Sequence, residues 1–473
     1  MALGTSSAPA SESSTTAEGE PQERTPQPGG LPASPSSASP KARFWLAIAC
    51  AVALGAAIRF AYLYLGAPSW VGGDGFDYHG SALRLADGMG YTSSLTNVGA
   101  EAAHHPPGWV TLLALVTKAG GRSMWAHQVT GLVLGLGVIL VTGLVGRRYV
   151  GPRVGVVAAF LAAVYPGFWV LDVQILSEPL GLVVGGLLLL VLADLWERPR
   201  LTLVLLAGVL TGGLALVRSE QLALLVIAVA PILLLNRHIR PTRRLAWTGI
   251  AGATALLVIA PWAMYNRDRF EEPVVLSTNL GPTLLAGNCP RGGTYGGAAM
   301  GSFHLGCLVV RARAHADLDA SQQDLDARDA AFDNMRENLD RMPATILARY
   351  GRLLGVFRPA QTVGIDVTWL NSATWPVWAW ITSFWVLVPL AVYGSVLMRR
   401  SRRFQWPLVA PLAIVVLTTT LAFGDPRYHT SADLGLLVLV AVALDHLLLR
   451  RRSTEGTADD STEVRLSASK VPA

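Results

Sequence analysis

The stretch from Val71 to Gly108 gathers Asp74, Asp77, Tyr78, Glu101, His104 and His105 between glycines and a closing Pro106-Pro107-Gly108 turn. A carboxylate held where water is partly excluded is destabilised in its charged form, so Asp74 is a candidate proton acceptor. The plainer alternative is a turn carboxylate or a helix N-cap. Asp77 fits the cap better, because a helix-like run, Tyr78 to Ala86, follows it directly. The histidines could bind a metal, donate to a phosphate, or cap the short helix after Pro107. Adjacent histidines point in different directions in most backbones, which does not favour a two-histidine metal site. A divalent metal is compatible with the sequence but not required by it.

Three further groups carry charge where apolar sequence surrounds them. Glu178 follows Ser177 and precedes Pro179; Arg218-Ser219-Glu220-Gln221 interrupts an apolar region; Gly424-Asp425-Pro426-Arg427-Tyr428-His429 precedes the last apolar run. Ionisable residues at such depths are costly and mark function more often than surface charges do. Arg427 is suited to bidentate phosphate binding. Turns also need polar residues, and Arg218 and Glu220 could simply satisfy one another.

The elements that must position these residues are apolar. Of 473 residues, 52% are hydrophobic and 15% charged, and the mean hydropathy is +0.42. Apolar runs fall at 44–65, 123–146, 153–171, 174–195, 201–217, 221–236, 245–264, 374–397, 405–422 and 430–449. The expectation is an all-α polytopic membrane protein with about ten spans. Residues 107–119 are too short to span and read as an interfacial or re-entrant helix. The formal charge of +6 does not indicate nucleic acid. The basic residues cluster instead in short connections: Lys41 and Arg43; Arg147, Arg148 and Arg153; Arg198 and Arg200; Arg237 to Arg244; Arg399 to Arg403; Arg450 to Arg452. With ten spans all of these fall on one side, which the positive-inside rule makes cytoplasmic, together with both termini. The opposite side receives the long loops 66–122 and 265–373 and most of the candidate chemistry.

Residues 1–42 and 453–473 are polar and are expected to be disordered tails flanking a membrane domain at 43–452. No cleavable signal peptide is expected, because no apolar core lies near Met1. In the long loop, Leu325, Phe332, Met335, Leu339 and Met342 recur at helical spacing, and the helix is expected to stop at Pro343. A second amphipathic piece, Ile346 to Phe357, carries Arg349 and Arg352 and is expected on the membrane surface. Cys289 and Cys307 share the same loop, and a bond between them would stabilise by about 3 kcal/mol on the chain-entropy argument. Cys50 reads as a small core residue. No Walker, Rossmann or zinc-finger spacing occurs.

The order of these parts resembles the GT-C glycosyltransferases of the protein O-mannosyltransferase and aminoarabinose-transferase type. The resemblance rests on Asp74 and Tyr78 followed by Ala82, Leu85, Gly88, Gly90 and Tyr91, then Pro106-Pro107-Gly108. It continues with Pro261-Trp262 and Asn266, Ser277-Thr278-Asn279 with Gly281, Gly287-Asn288, and Arg427-Tyr428. It covers roughly 44–450. Many relatives carry a second acidic residue directly after the loop aspartate, where Gly75 stands here. The resemblance implies a GT-C-like helical bundle with juxtamembrane helices on its outer face. It also implies sugar transfer from a polyprenyl-phosphate donor to an acceptor hydroxyl, with inversion, at the outer face of a plasma membrane that is expected to be bacterial. In that reading Asp74 is the base, Arg427 and Arg218 hold the donor phosphate, and Tyr78, His105, Glu178 and Tyr428 are substrate-binding candidates. The acceptor is a protein, a lipid or a cell-wall glycan. The other readings are a transporter or flippase of a lipid-linked or small polar substrate, and a glycan polymerase or ligase. Polar groups gathered on one face, without repeating halves, argue against a transporter.

Overall fold

The computed structural model describes residues 39–66, 71–94 and 98–468, with 450–468 given as backbone alone. The first expected tail lies, up to residue 38, outside these residues; the second lies in the backbone-only end of the last helix or beyond it.

Each of the ten apolar runs becomes helical. Among the described residues, six helices are long and apolar enough to cross a membrane: α1 (Pro40–Leu65), α4 (Met124–Tyr149), α7 (Glu178–Glu197), α10 (Pro241–Asn266), α16 (Thr374–Arg400) and α18, spanning Pro426–Leu449. A bent pair, α5 (Pro152–Val164) and α6 (Pro166–Asp172), passes the same test together, with a 53° bend at Tyr165. Three apolar helices are shorter: α8 (Leu201–Ala215), α9 (Ser219–Leu235) and α17 (Trp406–Leu421). This qualifies the count of ten. The 15 residues of α8 reach only about 22 Å at 1.5 Å per residue, short of the roughly 30 Å hydrocarbon layer. The chain reads as a multi-pass membrane protein, all-helical among the described residues apart from one isolated bridge, Thr92 to Glu101.

Sequence details fix the local packing. The bend after α5 occurs where Pro166 supplies no N–H, leaving carbonyls of the preceding turn free. Arg59, on α1 and fully buried, donates to Ala163 O at 3.2 Å and to Asp172 Oδ2 at 2.7 Å, so a buried ion pair holds the bend. On α8, Gly208 and Gly212 lie one turn apart, and an added Cβ would stand 2.6 Å from Ala251 O and Ala255 O of α10. These two helices touch backbone to backbone, as small residues permit in membranes. Gly212→Leu is expected to push α10 away and cost about 1–3 kcal/mol, read as a lowered Tm in detergent.

Between the spans lie short helices: α2 (Gly73–Ala86) and α3 (Pro107–Lys118) after α1, and five after α10. These are α11 (Leu280–Gly287), α12 (Leu305–Ala314), α13 (Ala320–Glu337), α14 (Met342–Leu353) and α15 (Pro359–Leu370). Three expectations are corrected here. Asp77 is not an N-cap: α2 starts earlier, at Gly73, whose φ of +50° a glycine adopts without strain. Pro343 does not stop a helix; it occupies the first turn of α14, where a missing N–H is harmless, while α13 ends at Glu337. Arg349 and Arg352 do not form an exposed polar stripe. Both are fully buried, and backbone carbonyls take the place of acidic partners. Arg349 donates to Thr420 O, to Gly287 O at 3.1 Å and to Asn288 Oδ1 at 2.8 Å; Arg352 reaches Met300 O at 2.6 Å and Ala298 O at 3.1 Å. The helix period exposed a polar stripe, and the folded loop covers it. Cys289 and Cys307 are bonded, joining the end of α11 to α12. Cys50 is exposed on α1 rather than in the core.

The two ends of α7 differ. At its C-terminal end, Arg148 pairs with Asp194 at 2.6 Å and Glu197 at 2.7 Å, and Arg403 donates to Val150 O at 2.8 Å. Three of the basic connections therefore meet there. At its N-terminal end Glu178 faces the short helices.

Candidate active site

Glu178 and Asp74 each stand in the first turn of a helix, α7 and α2. Unpaired N–H groups there favour a negative charge. Arg427 sits on a tight turn, Pro426–His429, which Asp425 caps by accepting from Arg427 N at 2.8 Å. Gly424 anchors that turn by donating to Gly301 O at 2.9 Å. The turn directs the guanidinium between the two helix ends. Its Nη1 lies 2.8 Å from Asp74 Oδ2, and its Nε bonds Glu178 Oε1. Arg218, just past α8, reaches Glu178 Oε1 at 2.8 Å and Glu220 Oε1 at 2.7 Å. The result is a ladder, Asp74–Arg427–Glu178–Arg218–Glu220, built from four separate parts of the chain. Arg218 and Glu220 do satisfy each other, but Glu178 is a second partner for Arg218. Glu178 is 4% exposed and its Oε2 has no hydrogen-bond partner.

His105 lies beside the ladder. Its Nε2 is 4.0 Å from Asp74 Oδ1 and 3.9 Å from Asp77 Oδ2, beyond hydrogen-bond range, and is buried without a partner. Its ring stacks on Tyr78 at 4.3 Å between centroids, and the Tyr78 hydroxyl donates to Ser177 Oγ at 3.4 Å. Burial, aided by the neighbouring His104, pushes the imidazole down to about 4. His105 is therefore neutral near pH 7, which argues against a charged contact with phosphate. Asp77 is fixed by Ser94 Oγ at 2.8 Å.

Asp74 departs from its sequence-based chemistry. Burial alone would raise its carboxyl, but the charge of Arg427 and the hydrogen bond from it outweigh this, holding the group well below the usual carboxylate range. In this state it is an ion-pair partner and a poor base. Tyr428 takes no part in the ladder; its ring packs against Phe423 at 5.0 Å. Among the described residues no three His, Cys, Asp or Glu side chains gather at metal-ligand spacing.

From the ladder an apolar cleft runs between α7, α8, α9, α17 and α18. In this conformation its cavity volume is about 40 Å³. Glu178, Arg218 and Arg427 form its polar head, and Leu182, Leu189 and Leu214 part of its walls. Gly185 keeps it wide, since an added Cβ would have its nearest neighbour, Leu214 Cδ2, only at 4.0 Å.

The dolichyl-phosphate-mannose-protein mannosyltransferase family matches residues 104–265, about a third of the chain. No curated protein matches it. Among solved structures, the archaeal oligosaccharyltransferase AglB from Archaeoglobus fulgidus, in complex with an inhibitory peptide and a dolichol-phosphate, superposes with a TM-score of 0.52 at 15% identity. It covers 88% of this chain and 52% of that one. The apo form of the Archaeoglobus fulgidus oligosaccharyltransferase gives 0.52 at 14% identity, over 89% and 52%. ArnT from Cupriavidus metallidurans bound to undecaprenyl phosphate matches over 86% and 78% at 14% identity, with a TM-score of 0.39. The chain spans about half the length of the oligosaccharyltransferases it matches. The two oligosaccharyltransferase matches show that the chain shares their GT-C fold.

Sequence reading had named Asp74, Arg427, Glu178, Arg218, Tyr78 and His105, and the fold brings these six together. It missed the lock of Ser94 on Asp77 and the whole of α15. The only signal for Ser94 was its place in a polar loop.

Proposed function

We propose that the protein is a glycosyltransferase that moves a sugar from a polyprenyl-phosphate donor to an acceptor hydroxyl. The carrying observation is the pair of guanidiniums, Arg427 and Arg218, at the head of an apolar cleft. A lipid phosphate needs both features: an apolar channel for the isoprenoid and cations for its phosphate. The family match at 104–265 and the GT-C fold support the same reading. So does the dolichol-phosphate in the AglB complex. Three of the basic connections meet at the opposite end of α7, which supports an extracytoplasmic site and cytoplasmic termini.

The ladder suggests how the step is controlled. A donor phosphate competes with Asp74 for Arg427. Once Arg427 turns to the phosphate, Asp74 loses its largest charge partner while staying partly buried, and its carboxylate becomes more basic. It then takes the proton of the acceptor hydroxyl. The acceptor oxygen bonds to the anomeric carbon from the face opposite the phosphate, the bond from that carbon to the phosphate oxygen breaks, and the configuration inverts. Arg427 and Arg218 offset the charge left on the departing lipid phosphate.

The test is transfer from labelled polyprenyl-phosphate sugars in purified membranes. Wild type is expected to use one sugar preferentially, and consumption of none by any acceptor extract overturns the reading. Gly185→Leu, which fills the cleft, is expected to raise KM for long-chain donors about tenfold while sparing short-chain analogues.

A further inference from the structure

Helix α15 lies against the site and has no part in the ladder. Its ends are fixed. Arg358 before it and Asn371 after it both take left-handed backbone, at φ 49° and 46°, turning the chain sharply in and out. In its first turn, Gln361 Oε1 and Thr362 Oγ1 accept from the buried Arg352 at 2.7 and 3.3 Å. At its other end Trp369 meets the start of α2. A Cβ on Gly72 would stand 2.6 Å from Trp369 O, and one on Gly73 3.0 Å from the Trp369 ring. Trp369 therefore packs on the residue next to Asp74.

Between these anchors, one turn before Leu370, Asp366 is 5% exposed and its Oδ2 has no hydrogen-bond partner. The nearby cations do not serve it: Arg352 bonds carbonyls and the first turn of α15, and Arg427 bonds Asp74 and Glu178. Burial, then the charge of Asp425, pushes the Asp366 carboxyl well above its ordinary value, while Arg427 opposes this. Its free Oδ2 is available for a hydrogen bond to a ligand. From Trp369 a row of rings leads back to the Arg427 turn: Trp369 to Phe303 at 4.9 Å, Phe303 to Phe423 at 5.2 Å, and Phe423 to Tyr428 at 5.0 Å. Trp369 and Phe303 are only half-buried.

A carboxyl with an unmet hydrogen bond beside half-buried aromatic rings is the chemistry that recognises a sugar ring, hydroxyls on the edge and C–H groups on the face. We propose that Asp366 and Trp369 form the subsite for the glycosyl ring of the donor, with Asp366 bonding a ring hydroxyl and Trp369 covering a face. The donor ring is the part of the substrate one bond from the phosphate, so its subsite must adjoin Arg427, which bonds Asp74, the residue next to the Gly73 on which Trp369 packs. This rests on the glycosyltransferase reading and adds a specificity determinant to it.

The experiment measures binding as well as turnover, using the full-length protein in detergent or nanodiscs. Wild type is expected to bind the polyprenyl-phosphate sugar it prefers more tightly than sugar-free polyprenyl phosphate. Asp366→Leu is expected to abolish that difference and lower kcat/KM about 100-fold. Its affinity for sugar-free lipid phosphate should stay unchanged, and its Tm should be equal or higher because an unmet buried group is gone. Asp366→Asn, which keeps one donor and one acceptor, is expected to retain most of the binding. Trp369→Leu is expected to lose the sugar-dependent part as well, and serves if Asp366→Leu does not fold. An unchanged preference for the sugared lipid in both leucine variants overturns the proposal, as does an equal loss for sugared and sugar-free lipid. If wild type transfers from no donor, the glycosyltransferase reading falls, while the binding comparison still decides whether α15 holds a sugar.

Discussion

Asp74→Asn is expected to lower sugar transfer by about a hundredfold or more, the loss that accompanies removal of a general base. The substitution keeps the size and position of the side chain in the first turn of α2 and removes only the charge. The bond to Arg427 at 2.8 Å weakens rather than disappears, since the amide oxygen still accepts, so lipid-phosphate binding should stay within a few-fold of wild type. The check is turnover and donor binding measured side by side on equally expressed protein. Full transfer by the variant would leave the class of enzyme standing and remove Asp74 as base. The pH dependence has a definite sign. In the resting protein the Asp74 carboxyl lies below its ordinary 3.8. Its ion pair therefore contributes stability that is fully present above pH 3.8 and is lost only as pH falls below that value. Stability of Asp74→Asn relative to wild type should accordingly be flat from pH 5 to 8, and the difference should shrink only in stronger acid.

Arg427→Met is expected to be the more damaging change, because Arg427 serves both the site and the fold. It is the joint between Asp74 on α2 and the buried Glu178 on α7. Removing it leaves Glu178, 4% exposed, with Arg218 alone. Breaking a buried pair from one side costs about 3–5 kcal/mol, so Tm should fall markedly. Transfer should fall by about 10²–10³, as for loss of one preorganised group at a developing charge. The two effects separate in Arg427→Met combined with Glu178→Gln. Neutralising the stranded carboxylate should restore much of the stability and none of the transfer. If the double variant regains activity along with Tm, Arg427 acts as a structural brace, and the phosphate must be held elsewhere.

The ladder was unusually legible because each member is an isolated charge at the edge of an apolar run. Glu178 before Pro179, Arg218 between two leucine-rich stretches, and Arg427 after Asp425-Pro426 all stand where burial is costly. That cost points to a partner or a purpose. What could not be read was pairing. Nothing in the sequence says that Glu178 answers both Arg218 and Arg427, or that Asp74 is held ionised rather than raised. Those facts depend on 353 and 249 residues of separation closing to bonding distance. Arg349 and Arg352 failed for the converse reason. On a helical wheel they belong to a polar stripe, and only the disulfide-joined loop and the end of α17, folded over α14, supply the carbonyls that let two guanidiniums be buried without acids. Asp366 sat in a stretch with no motif and no strong period, so its burial was invisible.

By itself, then, the sequence determined the class of molecule. Apolar run length dictates helices in a bilayer, and isolated charges at run edges mark positions that need a partner or a purpose, because each follows from transfer energies that a local stretch carries with it. Only the tertiary structure decided which helices are long enough to reach across, which charges neutralise which, whether Asp74 is a free base or a paired one, and that α15 packs against the start of α2. Those outcomes turn on distances of a few ångströms between residues far apart in the chain, and a Coulomb or hydrogen-bond energy is a function of that distance and its surroundings rather than of residue type.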